Sequence, residues 1–417
     1  MFLFKCVFFI VGFLFFSSVQ ARVVSESEYP FPFKDPWIAS ISSGAVFYSG
    51  SDFQSLKFEF LPDRREVPLL EMRNKISINL FQQKSKAAPL AFVIAGTGGT
   101  AFSDKALWLG HQLYQLGYHV VTLPNTINFQ YVLGVSRSGV PGYTPRDAAE
   151  YYQVLKAINY YLVNDKKMQI SGYSLMGYSL GGLLAGFIAR EDESVGQFNF
   201  ERVVMLNPAL DLGFVVDALD NFYKAGNLVT EQRKENIQSQ VFSVGMNIMK
   251  TGFDIKKIQT AVERMQLNEN EKKWLVGDNF RSDLRDVVFA TQQINDQGVL
   301  VGEVTRFEQS RRLDEARLIT FEQYMNRILL PTLPSGLLVE DLVRQASIYE
   351  IENFLKSKNN VYIFTCADDF IYRPEDFKYM KNLVGDDRYV LYPHGGHVGN
   401  LWFDTTKKDI GDLMRLK

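Results

Sequence analysis

Cysteine is nearly absent from this chain of 417 residues, which holds only Cys6 and Cys366. Cys6 lies in an N-terminal stretch read below as removed, so Cys366 is left alone and no intramolecular disulfide is expected. Only four histidines occur, and no His, Cys, Asp or Glu spacing suits a metal site, so neither metal nor cofactor is expected. An excess of either charge is also missing, because the formal net charge is −2, or −3 once residues 1–21 and their single Lys5 are removed. That balance excludes the basic stripe a nucleic-acid binder needs. The pairs Lys166-Lys167 and Lys407-Lys408 are short and read as solvated surface. Beyond the N-terminus no run approaches the ~18 consecutive apolar residues of a membrane span, so a soluble mature protein is expected. Aromatics are plentiful, with 33 Phe and 20 Tyr. They fit core packing or an apolar substrate tunnel, and composition does not separate the two.

The first residues have the layout of a secretory signal peptide. Lys5 provides a positive start, residues 7–16 are apolar apart from Gly12, and Val19-Gln20-Ala21 offers a cleavage site after Ala21. Export to the periplasm or the medium follows. An uncleaved anchor is the alternative, although the apolar stretch falls short of the ~20 residues that span a bilayer. No cysteine sits just after the cut, which argues against a lipoprotein.

Residues 22–45, rich in Pro and Ser, read as a surface wrap. Residues 56–61 and 69–82 suggest an antiparallel hairpin. A strand–helix alternation then begins, with strands expected at 90–95, 119–123, 168–178 and 202–206. Helices are expected after Ser103 as cap, from a Thr144-Pro145 start to about 162, and at 180–189. Helical periodicity dominates 213–356, with helices expected at 214–223, 230–249, 256–265, 282–295, 314–328 and 339–355 and a strand-like 299–304. Strands resume at 361–365 and 389–392, and 406–416 closes the chain as a helix. The expected fold class is α/β, a mostly parallel central sheet flanked by helices, with a large helical cap insertion. The division is 22–212 and 357–417 for the core and 213–356 for the cap.

One motif carries the chemistry. Gly177-Tyr178-Ser179-Leu180-Gly181-Gly182 follows an apolar strand and opens a helix. A nucleophile on so sharp a turn needs small residues two positions before and after it. The turn lifts the Ser179 hydroxyl above the sheet edge. It also aims the Leu180 N–H and the helix start at the place where an oxyanion forms. The plainer alternative is a tight glycine-rich turn.

At this point the sequence resembles the α/β-hydrolase superfamily over about residues 55–212 and 357–417. The resemblance implies a second oxyanion donor in Ala95-Gly96-Thr97-Gly98-Gly99-Thr100, with Thr97 the donor and Gly98 next in line; Ala95 stands where the family usually has His. The family order is Ser, acid, His, and only His394 and His397 follow Ser179, both in Pro393-His394-Gly395-Gly396-His397-Val398-Gly399. The resemblance makes His397 the base, leaving His394 to shape the loop or face solvent. Thr365-Cys366-Ala367-Asp368-Asp369 resembles the acid turn, in a register that selects Asp369. Asp368 and, one strand earlier, Asp211 are the alternative acids. The activity implied is a serine hydrolase, preferably a carboxylesterase or lipase-like enzyme for small-molecule or lipid esters, with transient lipid contact through the cap. A serine peptidase or amidase, or a non-catalytic exported binding protein on the same fold, are the other readings.

Overall fold

The computed structural model describes residues 22–45, 48, 50–64, 74–85, 87–252, 254–302 and 310–416. The export-signal segment 1–21, residues 69–73 of the expected hairpin and 303–304 of the strand-like stretch lie outside the described residues. Nine strands form one sheet: β1 (Arg22–Val23), β2 (Gln54–Phe58), β3 (Ile76–Phe81), β4 (Ala87–Ile94), β5 (His119–Leu123), β6 (Gln169–Tyr178), β7 (Arg202–Leu206), β8 (Val361–Cys366) and β9 (Tyr389–Tyr392). Their spatial order is β1-β9-β8-β7-β6-β4-β5-β3-β2. The run from β5 through β4, β6, β7, β8 and β9 to β1 is parallel, and β3 pairs antiparallel with both β5 and β2.

The sheet is buried on both faces, so its strands read as continuous apolar runs rather than alternating ones. Period-two alternation still sorts the side chains. Leu90, Phe92, Ile94, Val203, Met205, Val361 and Ile363 meet one helical layer. Ala91, Val93, Val204, Leu206, Phe364 and Cys366 meet the other. The first layer comprises Thr144–Tyr160, Leu180–Val195 and Pro374–Val384, and the second includes Asp104–Gln115 and Asp404–Met414. Each fully buried Phe, Leu or Ile contributes roughly 1.5–3 kcal/mol to this packing. Because β4, β6, β7, β8 and β9 are adjacent and parallel, their carboxyl ends form one rim, where open α/β sheets carry their ligands.

Several local expectations are corrected. Residues 22–45 do not wrap the surface: β1 joins the sheet edge, and Tyr29, Phe31, Phe33, Trp37 and Ala39 are buried. The aromatic spacing there obeys no helix or strand period, so composition alone misread it. Ser103 holds the N-cap position of its helix as expected, but its hydroxyl accepts from the Thr100 N–H rather than from the helix. Thr144 is the first helical residue rather than the cap, and its hydroxyl donates to the Ala346 carbonyl.

Between β7 and β8 the described residues form helices and no strand. Leu212–Lys224, Glu231–Thr251 and Ile255–Met265 lie close to expectation. The next helix, Glu269–Ile294, starts thirteen residues before the expected 282, at a capping box between Asn268 and Glu271. The expected 314–328 helix is two pieces, Ser310–Leu318 and Phe321–Tyr324, the second continuing through Met325–Leu329. Thr320 and Gln323 cap that restart, a local signal that the periodicity overrode. The expected 339–355 helix breaks at extended Ser347 into Val339–Ala346, Ile348–Ile351 and Glu352–Ser357. Residues 299–302 are not a strand. Among the described residues no helix is long and apolar enough to cross a membrane.

Candidate active site

Ser179 stands between β6 and the helix Leu180–Val195 with φ 58° and ψ −129°, a region L-residues avoid. The surroundings force this turn. The Ser179 N–H donates to Leu206 O (2.9 Å), and its carbonyl accepts from Gly182, Leu183 and Ala209. A Cβ on Gly177 would lie 2.0 Å from the Gly181 carbonyl oxygen, and one on Gly181 would lie 2.2 Å from that of Ala95. Only glycine fits at either place, which is the physical content of G-x-S-x-G here.

The rim brings Ser179, His397 and Asp369 into one hydrogen-bonded row. Ser179 Oγ lies 2.8 Å from His397 Nε2, and His397 Nδ1 lies 3.0 Å from Asp369 Oδ2. A carboxylate only accepts, so the imidazole carries its proton on Nδ1 and offers Nε2 to the serine hydroxyl. Asp369 is buried, and its remaining acceptor capacity takes Asn207 Nδ2 (2.8 Å) and the Ile371 N–H (3.2 Å).

The two alternative acids are engaged elsewhere. Asp368 accepts from the Gly396 N–H (2.8 Å) and the Gly395 N–H (3.2 Å), fixing the histidine loop from below. Burial pushes its carboxyl pKa up, and those two N–H groups oppose the shift. Asp211 caps the helix Leu212–Lys224 through Gly213 and Phe214 and pairs with Arg373 at 2.9 Å. His394 meets Glu26 of the N-terminal segment.

Oxyanion-type donors are available beside Ser179. Leu180 is the first helical residue, so its N–H has no intrahelical acceptor. The Thr97 N–H also has no acceptor among the described residues, whereas the Gly98 N–H is bound to Ile127 O at 2.9 Å. Gly98, the expected second choice, is therefore unavailable in this conformation.

Sequence reasoning missed the residues that hold these parts. Asn125 Nδ2 grips Ala95 O (2.8 Å) and Asn128 Nδ2 grips Gly98 O (2.7 Å), fixing the loop after β4. Asn207, at φ 43° after β7, orients Asp369. Ser40 accepts the His397 N–H at 2.7 Å. Val398, the next residue, is β-branched yet held at φ 57°, a strain that such packing sustains. The Asn207-Pro208 turn was visible in the sequence, but nothing local tied Ser40 to a loop over 350 positions away.

Two chambers meet at Ser179. The first has a volume of about 1020 Å³ including its mouth, and its walls are apolar side chains such as Leu184, Val216, Leu219, Leu284, Met325 and Leu342. The second, about 1410 Å³ with its mouth, is mixed: Ser40, the 96–99 loop, Asp104, Lys105, Asn279 and Asp283 line it together with apolar residues such as Ile41, Val241, Leu275, Val276 and Val398. Thr97, Ser179, Phe280 and His397 border both. Among the described residues no group of His, Cys, Asp or Glu could hold a metal ion.

No family profile and no curated protein matches the sequence. Solved structures of similar shape include an esterase from the archaeon Pyrobaculum calidifontis, at 12% identity over 90% of this chain and 85% of that one, TM-score 0.42. Carboxyl esterase 2 from the mycorrhizal fungus Tuber melanosporum matches at 12% identity over 88% and 87%, TM-score 0.43. A probable hydrolytic enzyme from Pseudomonas aeruginosa matches at 12% over 90% and 98%, TM-score 0.41. Overlap at this level says nothing about what the present chain acts on. The fold is read from the molecule itself: a mostly parallel sheet, a strained serine turn after β6, an acid after β8 and a histidine after β9. The chain has the α/β-hydrolase fold.

Proposed function

We propose that this protein is a serine hydrolase that cleaves carboxylic esters of apolar acyl groups. Ser179 attacks the ester carbonyl while His397 Nε2 takes its proton, and Asp369 stabilises the imidazolium that results. The Thr97 and Leu180 N–H groups receive the oxyanion, each worth roughly 2.7–4 kcal/mol of transition-state stabilisation. His397 then protonates the departing alcohol and activates the water that frees Ser179 from its acyl group. The single observation that carries this reading is the Ser179–His397–Asp369 row opening onto an apolar chamber.

The chamber supports an acyl rather than a peptide substrate. About half of its lining residues come from 213–356, the region proposed as a cap, and its walls expose few polar groups to pair with a peptide backbone. Each methylene buried there adds about 0.8 kcal/mol of binding. Export through residues 1–21 and transient lipid contact through the cap belong to the same proposal.

A fluorophosphonate probe tests the chemistry. The protein is expected to label at Ser179 and Ser179→Ala is expected not to; labelling that survives the substitution would overturn the nucleophile. A chain-length series of p-nitrophenyl esters alongside peptide amides tests the substrate class. Amides turning over faster than every ester would exclude the carboxylesterase reading.

A further inference from the structure

The second chamber, apolar over much of its wall, differs from the first in holding three ionisable side chains, Asp104, Lys105 and Asp283. Among the described residues the side chains of Asp283 and Asn279 make no hydrogen bond or ion pair, and Asp104 and Lys105 meet only each other's charge, although all four line this one cleft beside Ser179. Neighbouring charges elsewhere on the same helix are satisfied, since Arg285 is paired with Asp286 at 2.7 Å. A half-buried ionisable group left unpaired is costly unless a ligand completes it.

Asp283 is the distinctive member. It hangs from the helix Glu269–Ile294 onto the loop after β4, so close to Gly98 that a Cβ there would fall 2.0 Å from the Asp283 carboxyl carbon. That places a carboxylate one residue away from Thr97. Asp104 and Lys105 are sequence neighbours of opposite charge that offset each other, which leaves Asp283 as the surplus charge of the chamber. Burial and the Asp286 carboxylate, opposed by Arg285, raise its pKa to about 7, so it carries its charge above that pH and an adjacent cation would favour the charged form. Tyr178, Phe280 and Phe370 line the same space. Phe280 and Asp283 are three apart on one helix and so share a face. A carboxylate and aromatic rings lining one space can together stabilise an ammonium group.

Building on the esterase reading above, we propose that the second chamber takes the alcohol half of the substrate and that this alcohol carries an ammonium group, met by Asp283. An anionic alcohol would be repelled there, and a neutral one would leave the carboxylate uncompensated. The cation also neutralises the charge that Asp283 would otherwise set beside the developing oxyanion. Asp283 is thus a specificity residue, and Lys105 tempers the preference.

The test compares two esters with the same acyl chain: a choline ester and its uncharged isostere, the 3,3-dimethylbutyl ester. The wild-type ratio of kcat/KM, choline over isostere, is expected to be about tenfold or more. Asp283→Asn should bring that ratio towards one, Asp283→Glu should retain part of it, and Lys105→Met should raise it. A wild-type ratio at or below one would overturn the proposal. So would an Asp283→Asn variant that loses both esters alike, since a purely structural role leaves the ratio unchanged. Fluorophosphonate labelling of Ser179 is followed in parallel. Labelling with turnover of the isostere but no choline preference sinks this inference alone; no labelling and no turnover of either ester sinks the hydrolase reading beneath it.

Discussion

The rim of the sheet and the helical region above it are held together by different physics. At the rim, backbone dictates position: glycines abut carbonyl oxygens, Ser179 and Val398 sit at positive φ, and Asn207 and Ser40 hold Asp369 and the His397 backbone. The helices of 212–357 are joined by apolar faces laced with side-chain polar contacts, such as Arg233 with Glu271 and Arg317 with Asp278. The chief of these is buried Arg281, which donates to Asp220 at 2.5 Å and to Ile319 O at 2.8 Å, while Asp220 also accepts from Phe321 and Glu322. Rim geometry tolerates little change, whereas the helical region sets the shape and size of the apolar chamber. Substitutions at the rim should therefore stop the chemistry, and substitutions above it should shift stability or substrate range.

The largest separation is expected between two adjacent acids. Asp369→Asn should lower kcat by about 10⁴ by upsetting the histidine tautomer, with the fold intact. Asp368→Asn, which still accepts from the histidine loop through its amide oxygen, should cost far less. Steady-state ester hydrolysis decides, and equal losses would erase the distinction.

In the helical region, Arg281→Met leaves Asp220 buried without its cation and should destabilise the protein by about 3–5 kcal/mol. Urea denaturation followed by fluorescence measures this. Loss of ester turnover under conditions where the variant is fully folded would show that the two regions are not separable as argued.

Between the regions lies Asp147, buried at the wall of the apolar chamber with Oδ1 unpartnered among the described residues. Burial raises its pKa to about 7 from the ordinary 3.8. The folded state therefore binds its proton more tightly than the unfolded chain, and stability falls as pH rises from about 4 to about 7. Asp147→Asn removes this titration. Its Tm relative to wild type should rise by the equivalent of a few kcal/mol between pH 4.5 and pH 8. A difference independent of pH would show that Asp147 stays ionised throughout.

The smallest expected effect is a change of preference. Val216→Phe narrows the apolar chamber and should move the optimum of the p-nitrophenyl series to shorter acyl chains, worth about 1–3 kcal/mol for the longest. A uniform loss across the series would mean that the chamber does not hold the acyl chain.

What was legible in the sequence follows the same division. Strand–helix alternation read out the parallel sheet because buried strands are short apolar runs with fixed punctuation. The nucleophile turn was legible because a steric demand, glycine against backbone, leaves a compositional trace at fixed spacing. The helical region was legible only as helical. The periodicity across 314–328 and 339–355 survives the breaks at Thr320 and Ser347, since both sides of each break still pack an apolar face. The segment 22–45 was misread because its aromatics are buried by distant partners such as Tyr392 and Phe403.

By itself the sequence determined the α/β class, the strained serine turn and the short set of residues from which an acid and a base could be drawn. These are local: they depend on neighbours within a few positions and on steric limits that leave few residue choices. Only the tertiary structure decided that Asp369 rather than Asp368 or Asp211 meets His397, that Gly98 has already given its N–H to Ile127, and that Ser40 and Asn207 brace the row. It alone also split the space at Ser179 into an apolar chamber and a second one that holds ionisable groups. The reason is geometric, because a hydrogen bond discriminates within a few tenths of an ångström between side chains that are one residue apart in sequence.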